Sequence, residues 1–109
     1  MLQPISVDIN SIKNLIIYLH GFRSFSESNK FRLLQEMFPN EKVISLDYSP
    51  HDPELASQQI TKVILEEEAD IDDILVIGTS LGGFWARWAA ASFSVKSILI
   101  NPVLHPILR

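Results

Sequence analysis

Residues 74–85 read Ile74-Leu75-Val76-Ile77-Gly78-Thr79-Ser80-Leu81-Gly82-Gly83-Phe84-Trp85, and the order of chemistry in this stretch decides the fold. The apolar run Ile74 to Ile77, rich in β-branched side chains, suits a strand buried on both faces. Small residues follow it. Behind them Leu81, Phe84, Trp85, Trp88 and Ala89 fall at i, i+3, i+4, i+7 and i+8, the apolar face of a helix laid on a sheet. Both tryptophans therefore read as core residues. A strand that passes directly into such a helix is the repeating unit of a parallel sheet covered by helices.

The same rhythm continues in both directions. Leu15 to Leu19 is an unbroken apolar run ended by His20-Gly21-Phe22, with the polar stretch Arg23 to Asn29 after it. Phe31, Leu34 and Phe38 recur at helical spacing, Leu33 and Met37 widen that stripe, and Pro39-Asn40 closes the element. Val43 to Leu46 is a second strand, ended by a loop from Asp47 to Pro53 that is too rich in Pro and Asp to continue it. Ala56, Ile60, Val63 and Ile64 share one face of the next helix. Val95 to Ile100 is a fourth strand stopped by Asn101-Pro102, and the alternation in Ile5 to Ile9 allows an additional edge strand. The expected architecture is a single α/β domain over residues 1–109: three layers, α/β/α, around a mostly parallel sheet. Right-handed crossovers give the strand order 2-1-3-4.

The chain has 109 residues, 47 % hydrophobic and 20 % charged, enough for one hydrophobic core. Nine Lys and Arg against thirteen Asp and Glu give net −4. The cations are scattered singly, so neither a nucleic-acid stripe nor a polybasic membrane patch is available. With no cysteine, disulfides, thiolate metal sites and a Cys nucleophile are excluded. No apolar stretch approaches the roughly 18 residues of a membrane span, and Met1-Leu2-Gln3-Pro4 lacks the features of a secretion signal. A cytoplasmic location is the default expectation. The acidic run Glu66 to Asp73 reads as a solvated helix end and loop, and no metal or other cofactor is expected.

The strongest chemical signal is Gly78-x-Ser80-x-Gly82. With Gly and Ser each near 7 % of residues, the bare pattern arises by chance in about 4 % of chains this long; its strand-to-helix context is what gives it weight. A nucleophile elbow must sit at such a turn, where small flanking residues let the chain bend sharply and lift the hydroxyl above the sheet. His20-Gly21-Phe22 closes the first strand at the same carboxyl edge, and the order 2-1-3-4 makes the two turns neighbours. The N–H groups of Leu81 and Phe22 would then face one developing oxyanion, and such a donor is worth about 3 kcal/mol in the transition state. His20 reads as a structural residue that orients this loop by hydrogen bonding. The competing reading of Ser80 is a helix-start serine in a flavodoxin-like fold whose amides bind phosphate.

Three blocks, Tyr18-Leu19-His20-Gly21-Phe22, Gly78-Thr79-Ser80-Leu81-Gly82-Gly83-Phe84-Trp85 and Ile100-Asn101-Pro102, resemble the bacterial YqiA/YcfP-like (UPF0227-type) family of small α/β-hydrolases. The resemblance implies an α/β-hydrolase fold, esterase activity on small acyl esters, Ser80 as nucleophile and the amides of Phe22 and Leu81 as oxyanion hole, supported by His20, Gly21, Gly78, Gly82 and Gly83. The family triad runs nucleophile, acid, histidine along the chain, yet no Asp or Glu occurs from Leu81 to Arg109. The chain is therefore expected to correspond to the N-terminal portion of such an enzyme. His105, past the fourth strand, is a geometrically allowed base but reads better as a loop histidine between Pro102 and Pro106. His51, with Asp47 and Asp52, reads as a rim group after the second strand. The rival to a serine hydrolase is a non-catalytic α/β module or inactive fragment. In either case the apolar last strand is expected to expose an edge that leads either to oligomerisation through it or to poor solubility.

Overall fold

Strand β1, Leu15–Leu19, lies inside the sheet with every residue buried, because it has a strand on each side and helices on both faces. The structure, a computed structural model, describes residues 14–21, 29–67 and 69–100. The Ile5 to Ile9 segment, Phe22, Asn101-Pro102 and His105 lie outside them. Strands β2 (Lys42–Ser45) and β3 (Ile74–Thr79) flank β1, and β4 (Lys96–Ile100) pairs with β3. All pairings are parallel and the order is β2-β1-β3-β4, as the alternation of elements predicts. The third strand runs on through Gly78 and Thr79 instead of ending at Ile77. Both neighbours hold it there: Gly78 pairs with Leu19 and Leu99, and Thr79 with Ile100.

The period of two sorts the strands between the faces. Leu15, Ile17, Leu19, Ile74 and Val76 point to one side and meet helices α2 (Pro53–Glu66) and α3 (Leu81–Phe93) through Ala56, Ile60, Ile64, Leu81, Trp85, Ala86 and Ala89. Helix α2 starts on a sequence-encoded cap: the Asp52 carboxylate accepts from the Leu55 N–H at 3.1 Å, and Pro53 occupies the first helical position. Helix α3 ends at Ser94, which adopts the left-handed conformation at φ 61°, ψ 26° and donates its N–H to the Ala90 carbonyl. Trp85 is buried and Trp88 partly so, joined with Phe84 and Phe93 in edge-to-face contacts at 5.1 to 5.8 Å.

The other face carries Ile16, Tyr18 and Ile77, packed on Leu34 of helix α1 (Asn29–Met37). Phe31 and Phe38 join this smaller core, whereas Leu33 and Met37 are exposed, so the stripe is narrower than the sequence suggests. Among the described residues α1 is the helix over this face at β1 and β2, and Phe31 and Leu34, with Phe38 just after the helix, pack against the strands. At β4 the same face bears Lys96, Ile98 and Ile100, with Ile98 47 % and Ile100 37 % exposed. Within the acidic run, Glu67 accepts an ion pair from Lys42 at 2.9 Å, and Ile71–Asp73 forms a 3₁₀ turn before β3. No helix among the described residues is long and apolar enough to cross a membrane.

Candidate active site at the serine turn

Between β3 and α3 the chain reverses at Ser80, whose backbone sits at φ 56°, ψ −123°. This conformation is far from the left-handed helical well that Ser94 uses and is one that L residues seldom adopt; holding it costs on the order of 1–3 kcal/mol. Its neighbours fix it. The Ser80 N–H donates to the Ile100 carbonyl at 3.0 Å, tying the turn to the end of β4, and the Gly83 N–H donates to the Ser80 carbonyl at 2.9 Å. Ser80 is exposed and its side chain makes no cap hydrogen bond to the helix it precedes. The hydroxyl therefore stands free of the capping role that an ordinary helix-start serine performs.

Glycines make so tight a turn feasible. A Cβ on Gly78 would fall on the Gly82 carbonyl, and one on Gly82 would fall on the Leu19 carbonyl of β1. The start of α3 is thus in backbone contact with two strands at once. Neither glycine has a positive φ, so close approach, and not conformational freedom, is what requires them.

The His20-Gly21 turn lies against the same spot. A Cβ on Gly21 would sit 2.7 Å from Ser80 Cβ, 2.9 Å from the Thr79 carbonyl oxygen and 3.5 Å from the Leu81 nitrogen. Ser80, Leu81 and Gly21 are therefore brought together at the carboxyl edge of the sheet, as the strand order implied. The Leu81 amide belongs to the first turn of α3 and has no acceptor within the helix. His20 is buried, with Nδ1 3.1 Å from the Gly21 carbonyl oxygen. Since a carbonyl only accepts, Nδ1 carries the hydrogen. Nε2 is buried without a hydrogen-bond partner among the described residues. The amide of Phe22 and the imidazole of His105 lie outside the described residues. His51 is exposed in the loop after β2, and Asp52 is engaged as the cap of α2.

One participant escaped the sequence reading. Tyr48, in the loop after β2, is buried; its hydroxyl donates to the His20 carbonyl at 2.8 Å, and its ring meets the imidazole edge-on with centroids 4.9 Å apart. Burial, with a smaller contribution from Tyr18, pushes its phenol well above the ordinary tyrosine range, so the group stays a neutral donor. The only sequence signal was an aromatic residue in an otherwise polar loop. On the opposite side of β1, Tyr18 exchanges a 3.0 Å hydrogen bond with the Thr79 hydroxyl.

The fold and this edge define an α/β protein that presents a strained serine between a parallel strand and a helix, with a glycine turn pressed against it. The chain belongs to UPF0227, a family described as "Uncharacterised protein family (UPF0227)", whose model matches residues 15–109. It is similar to a UPF0227 protein of Pectobacterium atrosepticum, 38 % identical over 96 residues, and to one of Vibrio parahaemolyticus, 35 % identical over 96 residues; each match covers 84 % of this chain and 52 % of the relative. A UPF0227 protein of Vibrio cholerae is 35 % identical over 97 residues, covering 86 % of this chain and 54 % of the relative. The chain thus spans about half the length of these relatives.

Proposed function

We propose that this chain carries the nucleophile and oxyanion portion of a serine hydrolase of the esterase type, with Ser80 as nucleophile. The observation that carries this reading is the Ser80 turn itself: a non-glycine residue at φ 56°, ψ −123°, solvent-exposed and without a capping bond, directly beside Gly21. Such backbone strain is characteristic of functional sites, and a strand-to-helix elbow is where an acyl-transfer nucleophile is presented. In the reaction, Ser80 Oγ bonds to the acyl carbonyl carbon as its proton passes to a base, and the carbonyl oxygen becomes an oxyanion held by the Leu81 and Phe22 amides. Collapse expels the alcohol and leaves an acyl-serine that water hydrolyses. The family resemblance implies a histidine base and a carboxylate acid to complete the triad. A small acyl ester is the substrate class.

The test is covalent labelling by a fluorophosphonate probe. Labelling of the native chain that vanishes in Ser80→Ala is the expected result, with the modified residue located by mass spectrometry. A folded native chain that takes up no probe, or one labelled equally well after Ser80→Ala, refutes the assignment.

A further inference from the structure

We propose that Tyr48 is a positioning residue for this site, setting the backbone at Gly21 through its hydrogen bond to the His20 carbonyl. Its catalytic consequence rests on Ser80 being the nucleophile, whereas the geometry it controls does not. The carbonyl oxygens of His20 and Gly21 are both anchored by buried side chains. Tyr48 Oη holds the oxygen of His20 at 2.8 Å, and His20 Nδ1 holds the oxygen of Gly21 at 3.1 Å. The His20–Gly21 peptide unit is planar and trans, so fixing its oxygen aims the Gly21 N–H the opposite way. Tyr48 thereby orients the Gly21 amide at the point where Gly21 abuts Ser80 Cβ, and the His20 imidazole holds the Gly21 carbonyl oxygen beside it.

The support under Tyr48 is itself braced. Trp85 Nε1 donates to the Pro50 carbonyl at 2.7 Å, and the Ser49 N–H donates to Gln59 Oε1 at 2.9 Å. The Leu46 N–H donates to the Tyr18 carbonyl at 3.1 Å. The loop after β2 is therefore pinned to α3, α2 and β1. Because Trp85 lies in the second turn of the helix that Ser80 precedes, the loop and the nucleophile share one rigid base. A phenylalanine at position 48 would fill the same space and keep the ring contact with His20; what the hydroxyl adds is the bond to that carbonyl.

The experiment compares the native chain with Tyr48→Phe by two readouts: the second-order rate of fluorophosphonate labelling at Ser80, and the resonance position and hydrogen exchange of the Gly21 amide by NMR. With the fold retained by circular dichroism, Tyr48→Phe is expected to slow labelling at least about tenfold. It should also shift and speed exchange of the Gly21 amide, leaving amides at the far end of α3 unmoved. Labelling within twofold of native, or an unaltered Gly21 amide, overturns the proposal. If Tyr48→Phe does not fold, Trp85→Phe, which removes the indole bond that seats the same loop together with part of its core packing, carries the same Gly21 amide expectation and the same refutation where it folds by circular dichroism. Absence of Ser80-dependent labelling in the native chain refutes the nucleophile reading alone, and the Gly21 amide then decides the positioning role by itself.

Discussion

Gly82 is where the helix that follows the serine touches the central strand, and Gly82→Ala measures how much the fold depends on that contact. The added methyl would lie 2.0 Å from the Leu19 carbonyl oxygen and 2.8 Å from both the Leu19 carbonyl carbon and the His20 carbonyl oxygen. Real Cβ atoms do not come within 3.0 Å of such neighbours, so α3 must retreat from β1 by about 1 Å. Every obstructing atom is backbone of a paired strand or its end, and none can rotate aside. Overpacking of this kind costs about 1–3 kcal/mol, and a backbone-on-backbone clash belongs at the upper end. Opposing it, alanine is favoured over glycine in a helix by about 1 kcal/mol, and no positive φ adds to the cost. The net loss is about 2 kcal/mol. Urea unfolding followed by the fluorescence of Trp85 and Trp88 reads it directly. With a slope of about 2 kcal/mol per molar, the midpoint falls by about 1 M. A midpoint equal to or above that of the native chain would mean that helix propensity dominates and that close packing is not what position 82 requires.

The remaining predictions concern pH and association. Because burial keeps Tyr48 protonated above the ordinary value near 10 while the unfolded chain ionises there, the unfolded state binds fewer protons above pH 10, and this group lowers stability by about 1 kcal/mol between pH 10 and 11. Chemical unfolding of Tyr48→Phe at pH 10 and 11 should show a loss smaller by that amount, and equal losses contradict it. Among the described residues β4 is the last strand of the sheet, and its Ile98 and Ile100 are exposed; we propose self-association of the chain through this strand. Light scattering should give a mass that falls on dilution and with Ile98→Lys; a native chain that is monomeric at every concentration rules this out.

Most of the fold was legible because its determinants are local and repeated. Apolar runs as pronounced as Leu15 to Leu19 and Ile74 to Ile77 must be strands buried on both faces, and helix-period segments between parallel strands leave few topologies open. Strand ends were less legible. The extension of β3 through Gly78 and Thr79 depends on partners in β1 and β4, and nothing in the local sequence encodes them. Leu33 and Met37 misled for a related reason: periodicity gives the direction of an apolar stripe, but its width depends on how much sheet lies opposite. At the site, the glycine pattern exposed the serine and the neighbouring turn. The role of Tyr48 was invisible, since its partner is a backbone carbonyl 28 positions away, and any residue type offers a carbonyl.

The cost of the Ser80 conformation bears on why a serine is there. A backbone at φ 56°, ψ −123° is nearly free for glycine and strained for any residue with a Cβ. The surrounding bonds, Ser80 N–H to Ile100 and Gly83 N–H to the Ser80 carbonyl, are made by backbone atoms that glycine also possesses. The side chain returns nothing to the helix as a cap, and its Cβ sits where Gly21 must itself lack one. The neighbouring positions 78, 82 and 83 are all glycine. Stability alone would therefore favour a fourth glycine at position 80, and what serine adds there is an exposed hydroxyl, the group that the proposed chemistry uses.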